Sequence, residues 1–273
     1  MPPARVTFLG TGTSHGVPMI GCRCAVCRST DSRDQRLRPS IYVAVEGGPA
    51  LLIDTSTDLR QQALANDLAR VDAVLFTHAH ADHVMGLDEL RRFNALSGQK
   101  LRVYADARTG AELTRIFAYA FSPATGPGGG VPDLALIEID GPFVIDGVAI
   151  VPVPILHGRQ PILGFRIGNF AYLTDCSEVP QASLGLLEGL EVLVLDALRH
   201  RPHPTHFSVA EAVAVATRIG ARETFFTHIC HDLAHAETCA ALPPGMALAY
   251  DGQIATIATE LPVRPASSAA ERA

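Results

Sequence analysis

Short apolar runs alternate with polar, glycine-rich breaks along the chain, a spacing that favours many brief strands over long helices. Residues 6–9 are apolar and β-prone and run into Gly10-Thr11-Gly12-Thr13, which predicts a strand ending in a tight loop. Residues 41–45 and 50–54 predict two strands joined as a hairpin through Gly47-Gly48-Pro49. Further strands are predicted at 73–76, 101–104, 134–139, 148–152, 164–167, 171–174, 193–196 and 223–226. Helical spacing marks 57–69, through Leu59, Ala63, Leu64 and Leu68, and also 108–119. A third helix is predicted at 208–219, where Val209, Val213 and Ala216 share a face and Ser208 with Glu211 has the pattern of a capping box. Residues 16–39 read as irregular. Gly and Pro crowd 122–132, which predicts a loop and a candidate lid. The small, polar stretch 261–273 is expected to be disordered.

Strand-rich halves with interspersed helices place the chain in the α/β class. With 273 residues, 48% of them hydrophobic, it can bury one sizeable core, and a single domain over 1–260 is expected. No apolar run is long enough to span a bilayer, and residues 1–12 lack the apolar core of a signal peptide, so a cytoplasmic location is the default expectation. The formal charge is −6 with no basic tail, which argues against a broad grip on nucleic acid. A homodimer is compatible with the sequence but not readable from it.

The chemistry is concentrated in histidines. Thr77-His78-Ala79-His80-Ala81-Asp82-His83 places three imidazoles and a carboxylate in six consecutive positions directly after a predicted strand. Imidazole and carboxylate suit Zn, Mn or Fe. On an extended turn His78 and His80 can face one metal, and the next turn can aim Asp82 and His83 at a second. Three of the six cysteines crowd into Gly21-Cys22-Arg23-Cys24-Ala25-Val26-Cys27, a spacing that reads as metal ligation rather than as a disulfide framework. Structural zinc is four-coordinate, so a fourth ligand must come from elsewhere, and Cys230 and His231 are the candidates. Cys176 and Cys239 read as small buried hydrophobes.

The H-x-H-x-D-H run resembles the signature of the metallo-β-lactamase superfamily. His157, Asp175 and His228 then follow in order, after the strand-like stretches 150–156, 171–174 and 223–227, so the resemblance spans about residues 4 to 258. It implies a four-layer αββα sandwich and a binuclear site holding two divalent ions, Mn or Zn. His78, His80 and His157 would ligate the first, Asp82, His83 and His228 the second, and Asp175 would bridge them. It also implies that Asp54, closing a strand, orients the His loop; a plain strand-end turn residue is the competing reading. The cysteine cluster resembles the phosphoribosyl cyclic phosphate phosphodiesterase subgroup, in which a Gly-Cys-x-Cys-x-x-Cys stretch and a later His hold a structural zinc. That similarity assigns Cys22, Cys24, Cys27 and His231 to one Zn. It also assigns His206, just before the 208–219 helix, to the substrate as a proton donor, with His203 as runner-up. Asp82 and His206 are therefore the catalytic candidates.

The resemblance implies a hydrolase that cleaves a small phosphodiester, with a cyclic sugar phosphate first, by attack of a metal-bridging hydroxide. Three readings compete. A tRNA 3′-processing nuclease shares the ligand set but usually carries a basic arm, whereas 122–132 contains no Lys or Arg. A pyrroloquinoline quinone biosynthesis-type protein carries a similar Cys-rich loop. A non-catalytic, metal-stabilised binding module needs no turnover at all.

Overall fold

A computed structural model describes residues 3–121 and 130–259. Most of the predicted 122–132 loop and the whole 261–273 tail lie outside the described residues. In chain order the first strands are β1 (Pro3–Gly10), β2 (Ser40–Val45), β3 (Ala50–Ile53), β4 (Ala73–Leu75), β5 (Leu101–Ala105), β6 (Leu134–Glu138) and β7 (Phe143–Ile145). They are followed by β8 (Val148–His157), β9 (Gln160–Ile167), β10 (Phe170–Leu173), β11 (Val192–Asp196), β12 (Glu223–Thr227), β13 (Met246–Leu248) and β14 (Ile254–Ala258). They form two seven-stranded sheets, ordered β14-β1-β2-β3-β4-β5-β6 and β13-β12-β11-β10-β9-β8-β7.

The apolar runs are continuous because both faces of the central strands are covered. In β3, Leu51 and Ile53 face the layer between the sheets, while Leu52 packs outward with Leu59, Leu90 and Phe93 of the flanking helices. β11 divides likewise: Val192 and Val194 point to the inter-sheet layer, Leu193 and Leu195 to the outer layer with Val209, Ala212 and Ala216. The result is helix, sheet, sheet, helix: the expected αββα sandwich. Among the described residues no helix is long and apolar enough to cross a membrane.

Several element boundaries differ from expectation. The 57–69 helix covers only Leu59–Ala65, because Asn66 leaves helical geometry and Asp67 takes φ 51°. The 108–119 helix breaks at Phe117 into Ala107–Ile116 and Ala118–Phe121. β8 joins the predicted 148–152 strand and the strand-like stretch 150–156 into one strand that ends at His157. Pro152 and Pro154 are tolerated because their main-chain nitrogens face away from β9, on an edge that β7 has already left. β7, β13 and β14 and the short helix Ala81–Val84 had no counterpart in the periodicity.

The third predicted helix holds closely. Val209–Ile219 starts at the Ser208/Glu211 capping box and ends at Gly220, whose φ of 74° closes it in the left-handed region.

Candidate metal centre and active site

β3, β4 and β5 are mutually parallel, and so are β10, β11, β12 and β13, so their carboxyl ends gather at one rim of the sandwich. Asp54 follows β3, His78 and His80 follow β4, Asp175 follows β10, Asp196 ends β11 and His228 follows β12. Asp54, Asp175 and His228 have φ of 64°, 55° and 60°. Left-handed backbone at a non-glycine residue costs about 1–2 kcal/mol, and here it turns each side chain off its strand end into the rim.

The ligand atoms of His78, His80, His157 and Asp175 lie within 4.8 Å of one another, as do those of Asp82, His83, Asp175 and His228. Asp175 belongs to both groups. The structure thus brings together all seven residues singled out at this rim. The turn expected after His80 is helical, Ala81–Val84, and aims Asp82 and His83 inward.

The residues fit a pair of cations. His78 Nε2 and His83 Nε2 are buried and have no hydrogen-bond partner among the described residues. They face Asp175 carboxylate oxygens at 3.6 and 3.2 Å, and His228 Nε2 faces Asp175 at 3.1 Å and Asp82 at 3.4 Å. Donors each about 2.1 Å from one tetrahedral cation lie roughly 3.4 Å apart, so these separations would suit atoms that share an ion.

The far sides of two of the imidazoles, His83 and His157, are held. Asp54 accepts from His83 Nδ1 at 2.7 Å, from Thr77 N at 2.9 Å and from the Thr77 hydroxyl at 2.8 Å, which ties the His loop to β3. His157 Nδ1 donates to Thr205 O at 2.9 Å. Both bonds fix the tautomer that leaves Nε2 free for a cation. Of the two readings of Asp54, the geometry supports the orienting one.

Electrostatics follow from burying several carboxylates among several imidazoles. Burial alone raises a carboxyl pKa, yet His228, His83 and His78 outweigh it and hold Asp175 well below the ordinary range. Asp82 is also lowered, against its burial, by His83 and His228. Burial lowers His78, and the nearby His83 lowers it further. His228 moves the other way, up to about 9, because Asp175, Asp82 and Asp196 overcome its burial. Negative charge converging here demands positive charge, which protons or metal cations can supply.

His206 lies beside this cluster. Its ring centroid is 4.7 Å from that of His157 and 4.6 Å from that of His228. His206 Nδ1 donates to Asp196 at 2.7 Å. His203 is half-buried one ring further out, 5.1 Å from His206. A cavity of about 260 Å³ opens next to them, lined by His15, Arg199, Arg201, His203, His206 and His231 among others. Sequence reasoning gave Asp196 no role; its position at a strand end, the same signal that marked Asp175, was the available clue.

The second cluster also assembles. Cys22 Sγ and Cys24 Sγ lie 3.3 and 3.4 Å from His231 Nδ1, and Cys27 completes a group of four within 4.8 Å. Cys24 falls to about 6, first because Cys27 N–H donates to its sulfur and then because His231 adjoins it. A thiolate at neutral pH is what a soft cation needs. Cys27 rises to about 11 through burial. Cys230 is not part of this group; its sulfur accepts from Asp232 N at 3.3 Å.

A two-sheet αββα sandwich with His and Asp ligand candidates at the strand ends is the metallo-β-lactamase class of structure. The match of residues 50–229 to the beta-lactamase superfamily domain assigns the chain to that superfamily. A crystal structure of a new diphosphatase from the PhnP family is 43% identical and superposes with a TM-score of 0.87, covering 93% of this chain and 97% of that one. An octanoyltransferase of Porphyromonas gingivalis is 38% identical over 255 residues, 93% of this chain but 51% of that protein. The chain therefore spans about half the length of that curated relative. Zn²⁺-bound PqqB from Methylobacterium extorquens shares the fold, with a TM-score of 0.75 at 22% identity over 92% of this chain and 99% of that one.

Proposed function

We propose that the chain is a binuclear metal-dependent hydrolase that cleaves a small phosphodiester, with a cyclic sugar phosphate as first choice. One observation carries this reading: two four-residue ligand sets, each drawing on both sheets, share Asp175. In the proposal His78, His80 and His157 hold one divalent ion, Asp82, His83 and His228 hold the other, and Asp175 serves both. Zn and Mn both suit these donors. Such a pair polarises phosphoryl oxygens and lowers the pKa of water.

The chain's own groups supply the rest. Asp54 and Thr205 O lock the His83 and His157 rings. Asp196 accepts the Nδ1 proton of His206 in a short hydrogen bond, so the ring, when it also carries a proton on Nε2, gives that proton to the departing sugar oxygen and is left neutral. The Cys22, Cys24, Cys27 and His231 cluster holds a structural Zn, which orders the long 16–39 segment. A single domain over 1–260 and a cytoplasmic location belong to the same reading.

The 43% identity to a diphosphatase favours a second substrate class, a phosphoanhydride, cleaved by the same P–O chemistry. Metal-reconstituted protein should be offered bis(p-nitrophenyl) phosphate, ribose 1,2-cyclic phosphate and a nucleoside diphosphate. Turnover of the diesters, abolished in Asp82→Asn, supports the phosphodiesterase. Turnover of the diphosphate alone selects the anhydride, and no turnover of any substrate rejects both.

A further inference from the structure

Gly10-Thr11-Gly12-Thr13 and the irregular stretch behind the cysteine loop have no task in the chemistry above. Their packing points to one. Arg36 is 1% exposed and has the largest wholly buried side chain among the described residues. A buried guanidinium needs its charge paired and its N–H groups accepted. Asp34 pairs with Nη2 at 2.8 Å. Main-chain oxygens take the remaining bonds: Nη1 donates to Cys230 O at 3.0 Å, Nη2 to Leu233 O at 2.7 Å and Nε to Arg33 O at 3.3 Å.

Cys230 and Leu233 bracket His231, the imidazole of the cysteine cluster. Two residues before Cys230 stands His228, which faces Asp82 and Asp175. The same segment is gripped from the other side, where Ile229 N donates to Thr11 O and Thr13 N donates to Ile229 O. Glycine at position 12 lets the same loop pack against the Arg36 backbone, where a Cβ would meet Arg36 O at 2.7 Å. Arg36 also exchanges both main-chain hydrogen bonds with Val17, at 2.7 and 2.8 Å, where the chain enters the cysteine loop. Arg36 thus joins, through its main chain, the entry to the loop that carries three thiols and, through its side chain, the turn that carries one imidazole for each cluster.

We propose that Arg36 is a positioning residue that couples the two clusters: by fixing the 228–233 turn, it lets a cation among Cys22, Cys24, Cys27 and His231 strengthen divalent-cation binding at the His/Asp cluster through His228. This rests on reading both clusters as cation sites, not on the hydrolytic activity. A cation that immobilises the His231 ring removes freedom from a turn whose carbonyls are already clamped. Ordering His228 for the second site then costs less. Linkage makes the effect reciprocal.

The test uses full-length protein, chelated and kept reduced. One equivalent of Zn²⁺ is given to the thiolates, with loss of thiol reactivity as the check. Mn²⁺, which prefers oxygen and nitrogen donors, then reports on the His/Asp cluster by calorimetry. The expected result is Mn²⁺ binding about tenfold tighter once the thiolates are filled. Arg36→Lys keeps a positive charge beside Asp34 but lacks the planar fork that reaches two carbonyls. In that variant the enhancement should vanish while the Co²⁺–thiolate absorption of the cysteine cluster is retained, a separation that general loss of structure does not produce. Equal Mn²⁺ affinity with the thiolates empty and filled in wild-type protein overturns the proposal, and that comparison needs no variant. Full enhancement in Arg36→Lys, or no Zn²⁺ uptake by the thiolates, overturns it as well. Absence of phosphodiester turnover with the enhancement intact rejects the activity and leaves the coupling standing.

Discussion

Asp196 shows how a single buried carboxylate can govern a proposed proton donor. It is fully buried, which raises its pKa, and it accepts from His206 Nδ1 and from Cys176 N at 3.1 Å. The short bond to His206 selects the tautomer and the ring orientation. Asp196→Asn keeps the volume but offers an amide that cannot take the same charge-assisted bond. We expect kcat on a phosphodiester to fall about 100-fold or more, with metal content by elemental analysis unchanged. Wild-type kcat in this variant would remove His206 from the proton-transfer role.

Within the elements, the ligands depend on close main-chain approaches. The helical turn Ala81–Val84 is pinned by Thr55 N donating to His83 O and Gly86 N donating to Thr55 O, both at 2.8–2.9 Å. Gly86 has an ordinary φ of −85°, so its glycine is needed for space and not for conformation. A Cβ there would meet Ser56 O at 2.1 Å. Gly86→Ala must therefore push the turn that carries Asp82 and His83 away from the 55–56 backbone. The expected cost is about 1–3 kcal/mol of stability, as for overpacking elsewhere, with weaker retention of active-site metal on dialysis. Unchanged denaturation midpoint and metal content would show that the turn yields without consequence.

Across the whole molecule, the rim joins the two halves of the sandwich. Asp82 and His83 come from the first sheet's side, and Asp175 and His228 from the second. Against its burial, His228 is pushed up to about 9 by Asp175 and Asp196 of its own sheet together with Asp82 from across the rim. Its folded value lies above the ordinary 6.5, so the proton on His228 stabilises the chelated fold fully below about pH 6.5, and that contribution is lost as pH rises through about 9. A cation ligated by His228 must displace this proton. Calorimetric titration with Zn²⁺ at pH 7, begun after a first equivalent has filled the thiolates and run in buffers of different ionisation enthalpy, should show release of about one proton or more per chain. Binding without proton release would take His228 out of the ligand set.

Much of this was legible in the linear chain. Three imidazoles and a carboxylate in six positions are unusual enough to announce a metal site without any fold. Apolar runs at β3, β4 and β11 announce strands covered on both faces. Local patterns end where the physics becomes long-range. Pro152 and Pro154 leave the end of β8 open to two readings in the sequence, because only a neighbouring strand decides whether a proline nitrogen faces a hydrogen-bond partner or an open edge. Asp196 and His206 are separated by a loop whose return path is set by Phe207 N donating to Cys176 O, a contact no periodicity encodes. Residue types and spacing determined which chemistry was available to the chain. Sheet register and packing alone decided that side chains from both sheets would meet at one rim, because convergence is a property of distances through space.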